Sequence, residues 1–404
     1  MADSPQSDRV AQQYERWTYP QPIPDLKAWL NDNWQWFDPS HAHRIFWPDR
    51  PYTPDMEILV AGCGTNQAAV FALNNPKARV VAIDVSRKSL ESHHRLRDRH
   101  GLDNLEIRLM PIEEAGSLGR EFDLIVSTGV LHHLADPVRG LRSLAGCLKP
   151  HGVAALMLYA RYGRIGVEMM QSVFRDLGLG LEDISIPIVR DALEGLPADH
   201  PVASYLGIAP DLSFDAGLVD TFLHARDRSY TVDDCMGLVD AAGLVFQDLF
   251  FKAPYYPPPW ASGPFFSAVS ALPPARQWSI MERVLFNNSC HFFMACRQDR
   301  PRETYEVNFE SEGVSRFVPF LRHRCRLDGN QLHRSDWSIP LEPDHLALVR
   351  LVDGRRTLGE IVAEAPVIRI LPGQDPPVRK AFARTLFRML WRLDFLAVEF
   401  DRQA

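Results

Sequence analysis

Two glycines and an acidic residue form the first pattern in this chain that is suited to binding a ligand. Gly62 and Gly64 follow the apolar run 58–61, and Asp84 ends a second apolar run, 79–83. Glycines allow a tight turn and let a ligand approach the backbone, and an acid about 20 residues further on can accept hydrogen bonds from ribose hydroxyls. With a helical segment between the two runs, the order predicts a βαβ unit of a doubly wound sheet. Such a sheet binds its ligand at the carboxyl ends of its strands.

Two cofactor classes compete for such a unit. Dinucleotide enzymes require G-x-G-x-x-G, but the run GCGTNQ at 62–67 lacks the third glycine. This run resembles the first motif of class I S-adenosylmethionine-dependent methyltransferases, G-C-G-T-G. In addition, FDLIVSTGVLHHLADP at 122–137 resembles the family's fourth-strand motif, and KPHG at 149–152 resembles its turn before the fifth strand. The resemblance implies an α/β fold with a Rossmann-like, doubly wound seven-stranded sheet, S-adenosyl-L-methionine as cofactor and methyl transfer as the reaction.

A closer resemblance is to a bacterial subfamily of uncharacterised sequences. Its members carry VAGCGTNQAA, TGVLHHLADP and LMLYAxYGR, which occur here at 60–69, 128–137 and 156–164. This resemblance implies no particular substrate.

The family resemblance also implies which residues hold the cofactor, at the carboxyl ends of the first four strands. They are Ala61, Gly62, Cys63, Gly64, Asn66, Gln67, Asp84, Val85, Ile112, Glu113, Thr128 and Gly129. Three positions depart from the family pattern: Val60 stands where many members have an acid, Asn66 replaces the third glycine, and Pro111 replaces an aspartate. Because asparagine tolerates left-handed backbone angles, we expect the turn to survive. We expect Ile112 to pack on the adenine and Glu113 to receive its amino group.

Aromatic residues, histidines and arginines follow the fourth and fifth strands at the same edge of the sheet. We predict that five residues serve near the reacting groups: His132, Tyr159, Tyr162, His224 and Tyr230. Because His132 and His133 are adjacent, we expect at most one of them to face the site. Arg161 and Arg164 are suited to gripping a carboxylate or a phosphate, with solvated loop arginines as the alternative. We expect His224 or Tyr230 to act as a general base. The alternative is that both residues belong to an ion-paired loop.

Residues 1–50 are predicted to form a lid or strap over the sheet. The stretch YERWTYP at 14–20 resembles the lead-in of related methyltransferases, in which the N-terminal segment folds over the cofactor. Tyr14 and Tyr19 are therefore the predicted lid residues. The alternative is a proline-rich strap whose aromatic residues only pack on the domain.

The remaining chain divides into two predicted domains. Residues 51–300 form the methyltransferase domain, with 165–228 inserted after the fifth strand as a helical cap over the active site. Residues 301–404 read as strands followed by helices and predict a small α+β, winged-helix-like domain. Within it, residues 348–361 resemble the L-x-L-x-D-G-x-R-T-x-x-E-I signature of the peptide-chaperone domain of pyrroloquinoline quinone biosynthesis. The resemblance implies peptide binding by strand addition, and a dimerisation or lid-support domain is the alternative.

Composition narrows the choice of partners. A net charge of -7 makes binding to a nucleic acid backbone unlikely on electrostatic grounds. The six cysteines show no C-x-x-C spacing, which disfavours a zinc site or disulfides and fits a reducing, cytoplasmic location. His41 and His43 have no third ligand nearby in sequence, so no metal is predicted. No apolar run approaches membrane-spanning length, so no membrane partner is predicted.

Three hypotheses of function follow from these patterns. The first is a methyltransferase whose small-molecule acceptor is held under the cap, and the second is a peptide or protein methyltransferase recruited by the C-terminal domain. The third is a non-catalytic, cofactor-binding regulatory protein, motivated by the departures at Val60, Asn66 and Pro111. A homodimer is the assembly considered for all three.

Overall fold

The computed structural model describes residues 9–365 and 376–400, so the outer ends of the predicted segments 1–50 and 301–404 lie outside the described residues. The chain divides into two compact units. Unit 1 contains residues up to 37 together with 54–249 and 274–300, and unit 2 contains 38–53, 250–273 and the residues from 301 onward.

This division differs from the predicted boundaries at 50 and 300, because two short segments join unit 2. In the first segment, Arg44 pairs with Glu399 at 2.7 Å. In the second, the backbone N–H groups of Lys252 and Ala253 donate to the buried Asp394 carboxylate at 2.8 and 2.9 Å. These bonds are long-range in sequence, so no local pattern marked them.

Within the described residues, unit 1 is built on a seven-stranded sheet with the order β3-β2-β1-β4-β5-β7-β6. Its strands are β1 Glu57–Ala61, β2 Arg79–Asp84, β3 Leu105–Leu109, β4 Phe122–Thr128, β5 Leu148–Tyr159, β6 Leu244–Leu249 and β7 Cys290–Arg297. All neighbours pair in parallel except β7, which is antiparallel to both β5 and β6. The predicted doubly wound seven-stranded sheet is confirmed.

Helices flank this sheet in unit 1, and other helices belong to unit 2. In chain order they are α1 Arg9–Arg16, α2 Leu26–Asp32, α3 Pro39–Phe46, α4 Gln67–Asn74, α5 Arg87–His100, α6 Pro137–Ala145, α7 Ile165–Asp176, α8 Ser185–Glu194, α9 Ala203–Leu206, α10 Asp215–Phe222, α11 Val232–Ala241, α12 Pro264–Ser270, α13 Pro274–Leu285, α14 Pro343–Val349, α15 Leu358–Glu364 and α16 Pro376–Arg392. Their ends follow local chemistry: Ser86 caps α5 through the N–H of Ser89, and Gly101 ends it at φ 63°.

The predicted cap insertion forms a helical layer of its own after β5. Helices α7, α8 and α10 meet around a separate apolar core that includes Val167, Phe174, Val189, Leu218 and Phe222. A helical layer with its own core can hold polar groups in fixed positions against the end of the sheet.

Unit 2 contains two small sheets and helices α14–α16. Its strands are β8 Phe317–Leu321, β9 Arg326–Asp328, β10 Gln331–His333, β11 Ser338–Pro340 and β12 Leu396–Phe400. Strands β9–β11 form one antiparallel sheet, and β8 pairs antiparallel with β12. This matches the predicted small α+β domain.

The peptide-chaperone-like signature in unit 2 has a structural explanation. Asp353 accepts the N–H groups of Arg355 and Arg356 at 2.9 Å each. Thr357 and Glu360 form a capping box that starts α15. The signature therefore encodes a turn and a helix start, and it does not by itself indicate peptide binding.

Among the residues that the structure describes, none of the helices combines the length and the apolar composition needed to cross a bilayer.

Candidate active site

The turn after β1 requires glycine at two positions. Gly62 and Gly64 have φ angles of 74° and 57°, in the left-handed region. A Cβ on Gly62 would lie 2.4 Å from a methyl carbon of Val130, and one on Gly64 would lie 3.0 Å from Pro20. Asn66 has φ -151°, so it is not left-handed. The missing third glycine therefore imposes no backbone strain, and the turn forms as expected without a left-handed angle at Asn66.

Asp84 lies at the end of β2 and faces this turn. Its carboxylate accepts the N–H of Gly64 through Oδ2 and the N–H of Ser86 through Oδ1, each at 2.9 Å. Burial raises the pKa of Asp84 to about 6, although these backbone hydrogen bonds counteract part of the increase. The carboxylate is thus held in a fixed orientation beside the glycine turn.

A cavity of about 560 Å³ lies beside the ends of β2 and β3. It is lined by Val85 after β2, Leu109 at the end of β3, and Glu15 from α1. The cavity lies at the carboxyl ends of parallel strands, where doubly wound sheets bind nucleotides.

Most of the other predicted cofactor residues surround the glycine turn. Ala61, Cys63 and Asn66 are buried, and the Cys63 thiol lies 3.9 Å from His93. Gln67, the first residue of α4, donates from Nε2 to the Thr128 hydroxyl at 3.1 Å, which connects the start of α4 to the end of β4.

The remaining three predicted cofactor residues lie after β3 and β4. Ile112 is buried and Glu113 is half-buried, both in a short 3-10 helix, Ile112–Leu118. Gly129 follows β4 with φ 73° and donates to the Met157 carbonyl at 3.2 Å. Their predicted contacts with a cofactor stay predictions.

A second group of side chains gathers at the ends of β4 and β5 under the cap. The His132 ring stacks on Tyr159 with centroids 4.0 Å apart, and the His133 ring stacks on His224 at 3.8 Å. Both adjacent histidines enter the group, contrary to our expectation of one, because Leu131–His133 is a 3-10 turn. The two rings meet edge to face at 4.1 Å.

A directed chain of hydrogen bonds ends at Asp220 in this group. His224 Nδ1 accepts the N–H of Arg226 at 3.0 Å, which assigns the ring proton to Nε2. That nitrogen lies 3.4 Å from the Tyr14 hydroxyl, which donates to Asp220 Oδ1 at 3.0 Å. Tyr159 donates to the other oxygen of Asp220 at 3.4 Å.

Burial dominates the protonation of this group. It raises the pKa of Asp220 to about 7, an effect to which Asp227 and Asp211 add and which the Tyr14 hydrogen bond and Arg164 oppose. Burial also lowers the pKa of His132, His133 and His224. The three histidines are therefore neutral at pH 7, while Asp220 is close to half-protonated.

Arg164 is buried and already paired. Its guanidinium contacts Asp227 Oδ2 at 2.9 Å and the Tyr205 hydroxyl at 2.9 Å, and it lies 3.7 Å from the centre of the Tyr159 ring. Arg161 is exposed and pairs with Asp234 at 3.3 Å. The expectation that these arginines grip an anionic substrate is wrong for Arg164, because its charge is neutralised inside the protein.

Two of the five predicted residues do not join this group through their side chains. Tyr230 contributes backbone, since its N–H donates to Tyr159 O at 2.8 Å, while its side chain lies beside Arg228. Tyr162 starts a 3-10 turn, Tyr162–Arg164. Across the described residues its hydroxyl makes no hydrogen bond to the group.

Two sets of side chains in this group come close enough to share a metal ion. They are His132, His133 and Asp227, and His133, Asp220 and His224, with ligand atoms within 4.8 Å. In the second set, the proton on His224 Nε2 blocks the lone pair that a metal requires. In the first set, Arg164 already occupies Asp227 and would repel a cation. The side-chain chemistry thus disfavours a metal at either place.

The N-terminal segment connects the sheet edge to the cap. Tyr19 donates to Asp211 at 2.7 Å, and Thr65 donates to the Pro20 carbonyl at 3.0 Å. Glu15 accepts a hydrogen bond from the backbone N–H of Arg87 at the start of α5. Tyr14 and Tyr19 thus lie where a lid would, and the lid function itself stays a prediction.

Asp220 was not among the residues predicted from the sequence. The signal in the sequence was an acid within the largely apolar stretch LVDTF at 218–222. In the structure this acid lies on α10 and is 2% exposed. A buried carboxylate with hydroxyl partners and no cation in direct contact is unusual, and it identifies a candidate functional residue.

The sheet order with an antiparallel β7, the glycine turn and the acid at the end of β2 together form a Rossmann-like fold of the kind found in methyltransferases. Residues 59–154 match the protein family described as a methyltransferase domain. An uncharacterised protein from Synechococcus sp. is 31% identical over 53% of this chain and 53% of its own length.

Another relative matches a shorter stretch of the chain. Ubiquinone biosynthesis O-methyltransferase from Parvibaculum lavamentivorans is 30% identical over 26% of this chain and 40% of its own length. The chain thus matches about half or less of the length of these relatives. The structure of PKMT2 from Rickettsia typhi in complex with AdoHcy superposes with a TM-score of 0.64 at 15% identity. It covers 91% of this chain and 76% of that one, and the similarity is one of fold.

Proposed function

We propose that this protein binds S-adenosyl-L-methionine and transfers its methyl group to a small nucleophile held under the cap. The observation that carries the proposal is the Asp84 carboxylate fixed against the Gly62–Gly64 turn. The next residue, Val85, lines an open cavity. The residues fit the cofactor, because a carboxylate in this position can accept hydrogen bonds from both ribose hydroxyls. The methionine portion would lie along the glycine turn.

When bound, the cofactor supplies a methyl group on an activated sulfonium leaving group. The protein must then align the nucleophile with that carbon and exclude water. We propose that Tyr14, Tyr159 and His132 form the wall around the acceptor. All three lie at the edge of the sheet where the strands of the cofactor site end.

We further propose that Asp220 is the general base of this site. An acceptor that carries an O–H or N–H proton must lose it as its lone pair bonds to the methyl carbon and the sulfur keeps the electrons of the broken bond. A carboxylate with a pKa of about 7 is matched to accept that proton. The hydrogen bond from Tyr14 fixes its orientation.

The proposal is tested by supplying methyl-labelled S-adenosylmethionine together with separate pools of small nucleophiles and of peptides. We expect label in a small molecule, with transfer by Asp220→Asn reduced about 100-fold or more and cofactor affinity retained. Label in peptides alone would favour the peptide methyltransferase hypothesis. Cofactor binding without any transfer would favour the non-catalytic one.

A further inference from the structure

Helix α7 of the cap has an exposed apolar face. Ile165, Met169, Val173 and Leu177, which follows the last turn, have exposed fractions of 50%, 45%, 45% and 62%. Their spacing of four residues places them along one side of the helix.

The opposite side of α7 packs in the apolar core of the cap. Val167, Met170 and Phe174 are buried in the cap core, with exposed fractions of 4% or less. A surface helix needs one apolar face to pack on its own domain. The second apolar face of α7 is therefore only partly buried within the chain and is suited to contact with another molecule.

Asp176 in the last turn of α7 lies on this face, and two residues of opposite charge lie beside it. Glu168 and Arg175 lie about two helical turns apart on the same flank, and among the described residues neither forms an ion pair. If a second copy of α7 packs antiparallel about a two-fold axis, Glu168 of each copy lies opposite Arg175 of the other. The same axis brings Met169 against Val173 and Ile165 against Leu177. A parallel two-fold arrangement would instead place the two Glu168 side chains on opposite edges of the interface, away from Arg175 of the other copy.

We propose that α7 is a self-association surface through which two copies of this chain form a two-fold symmetric dimer. The axis passes near Gln171 and Ser172, and the interface is isologous, with the same residues contributed by both copies. Its apolar contacts flank the axis, and its edge carries two symmetry-related Glu168–Arg175 pairs. The charges favour the antiparallel arrangement, since a parallel two-fold arrangement leaves them unpaired.

Sedimentation equilibrium of the full chain across about 1 to 100 μM tests the proposal. We expect the wild type to approach twice the 45.9 kDa mass of one chain. Glu168→Arg and Arg175→Glu should each shift the midpoint of association at least tenfold toward higher concentration. The double variant carrying both changes should return toward the wild-type midpoint, because it restores opposite charges across the axis.

Two further variants separate this surface from a general loss of structure. Met169→Glu places like charges near the axis and should give a monomer, whereas Val284→Glu makes the same type of change at an exposed position of α13, 39% exposed, and should leave the dimer intact. Unchanged melting temperatures would establish that all variants are folded. A monomeric wild type at every concentration, or a dimer that survives Met169→Glu, would overturn the proposal. So would a double variant that is no more dimeric than the single variants.

Discussion

The Tyr14 hydroxyl donates a 3.0 Å hydrogen bond to the buried carboxylate of Asp220. This bond joins α1, near the start of the chain, to α10 of the cap, across 206 positions of sequence. Tyr14 also lies within the electrostatic influence of Asp84 on the cofactor side. Tyr14 thus contacts one of the two carboxylates that the proposed reaction requires, and the charge of the other influences it.

Replacing Asp220 should change how stability depends on pH. Because the pKa of Asp220 rises from 3.8 to about 7 on folding, the native state binds the proton more tightly than the unfolded state. Its contribution to stability is therefore lost as pH rises toward 7. Between about pH 5.5 and 8, Asp220 should lower the free energy of unfolding of the wild type by about 2 kcal/mol, measured with urea. Asp220→Asn should lack this part of the decline.

Asp123→Asn is the control for that measurement. Contacts with Lys149 and His151 lower the pKa of Asp123, against the opposing effect of its burial, so its contribution to stability is lost only as pH falls well below the same interval. The decline between about pH 5.5 and 8 should persist in this variant. Equal declines in the wild type and in Asp220→Asn would contradict the shifted pKa.

The buried pair of Arg164 and Asp227 should behave as one unit. Arg164→Met leaves the Asp227 charge without its cation and should cost about 3–5 kcal/mol of unfolding free energy. Adding Asp227→Asn should recover part of that loss, so that the two changes are not additive. Chemical denaturation of the two single variants and the double variant measures the coupling. Strict additivity would show that the pair does not interact.

The glycine turn should reject any side chain. Gly62→Ala forces a Cβ to within 2.4 Å of Val130 at a φ of 74°, so both the melting temperature and cofactor affinity should fall. Gly237→Ala provides the matched comparison, because a Cβ there meets open space on α11. It should stabilise the protein by about 0.5–1 kcal/mol. A Gly62→Ala variant that melts and binds like the wild type would disprove the requirement.

The sequence predicted the central sheet well because its signals are local. Apolar runs, turn glycines and helix caps each depend on a few neighbouring residues, and the motifs at 62–67 and 122–137 lie where the resemblance implies. The position of Asp84 could be predicted for the same reason, because Asp84 ends its own strand and faces a turn only 20 residues away.

Long-range contacts bring together the residues of the proposed acceptor site. The sequence alone therefore predicted these residues only in part. Asp220 receives its hydrogen bonds from α1 and from β5, and Arg164 is neutralised by Asp227, 63 residues further on. No spacing rule predicts such partners.

The unit boundary was missed for the same reason, because Arg44 pairs with Glu399 of unit 2, 355 residues away. Removing residues 301–404 would leave 38–53 and 250–273 without the rest of their unit, so point substitutions are the better probes.

Calorimetric titration of the full chain with S-adenosylmethionine tests the central claim most directly. We predict micromolar binding that weakens at least tenfold in Asp84→Asn. Asp123→Asn should bind like the wild type, because Asp123 lies at the opposite end of the sheet beside Lys149. Failure of the wild type to bind at millimolar cofactor, or equal affinity in Asp84→Asn, would contradict the assignment of this site.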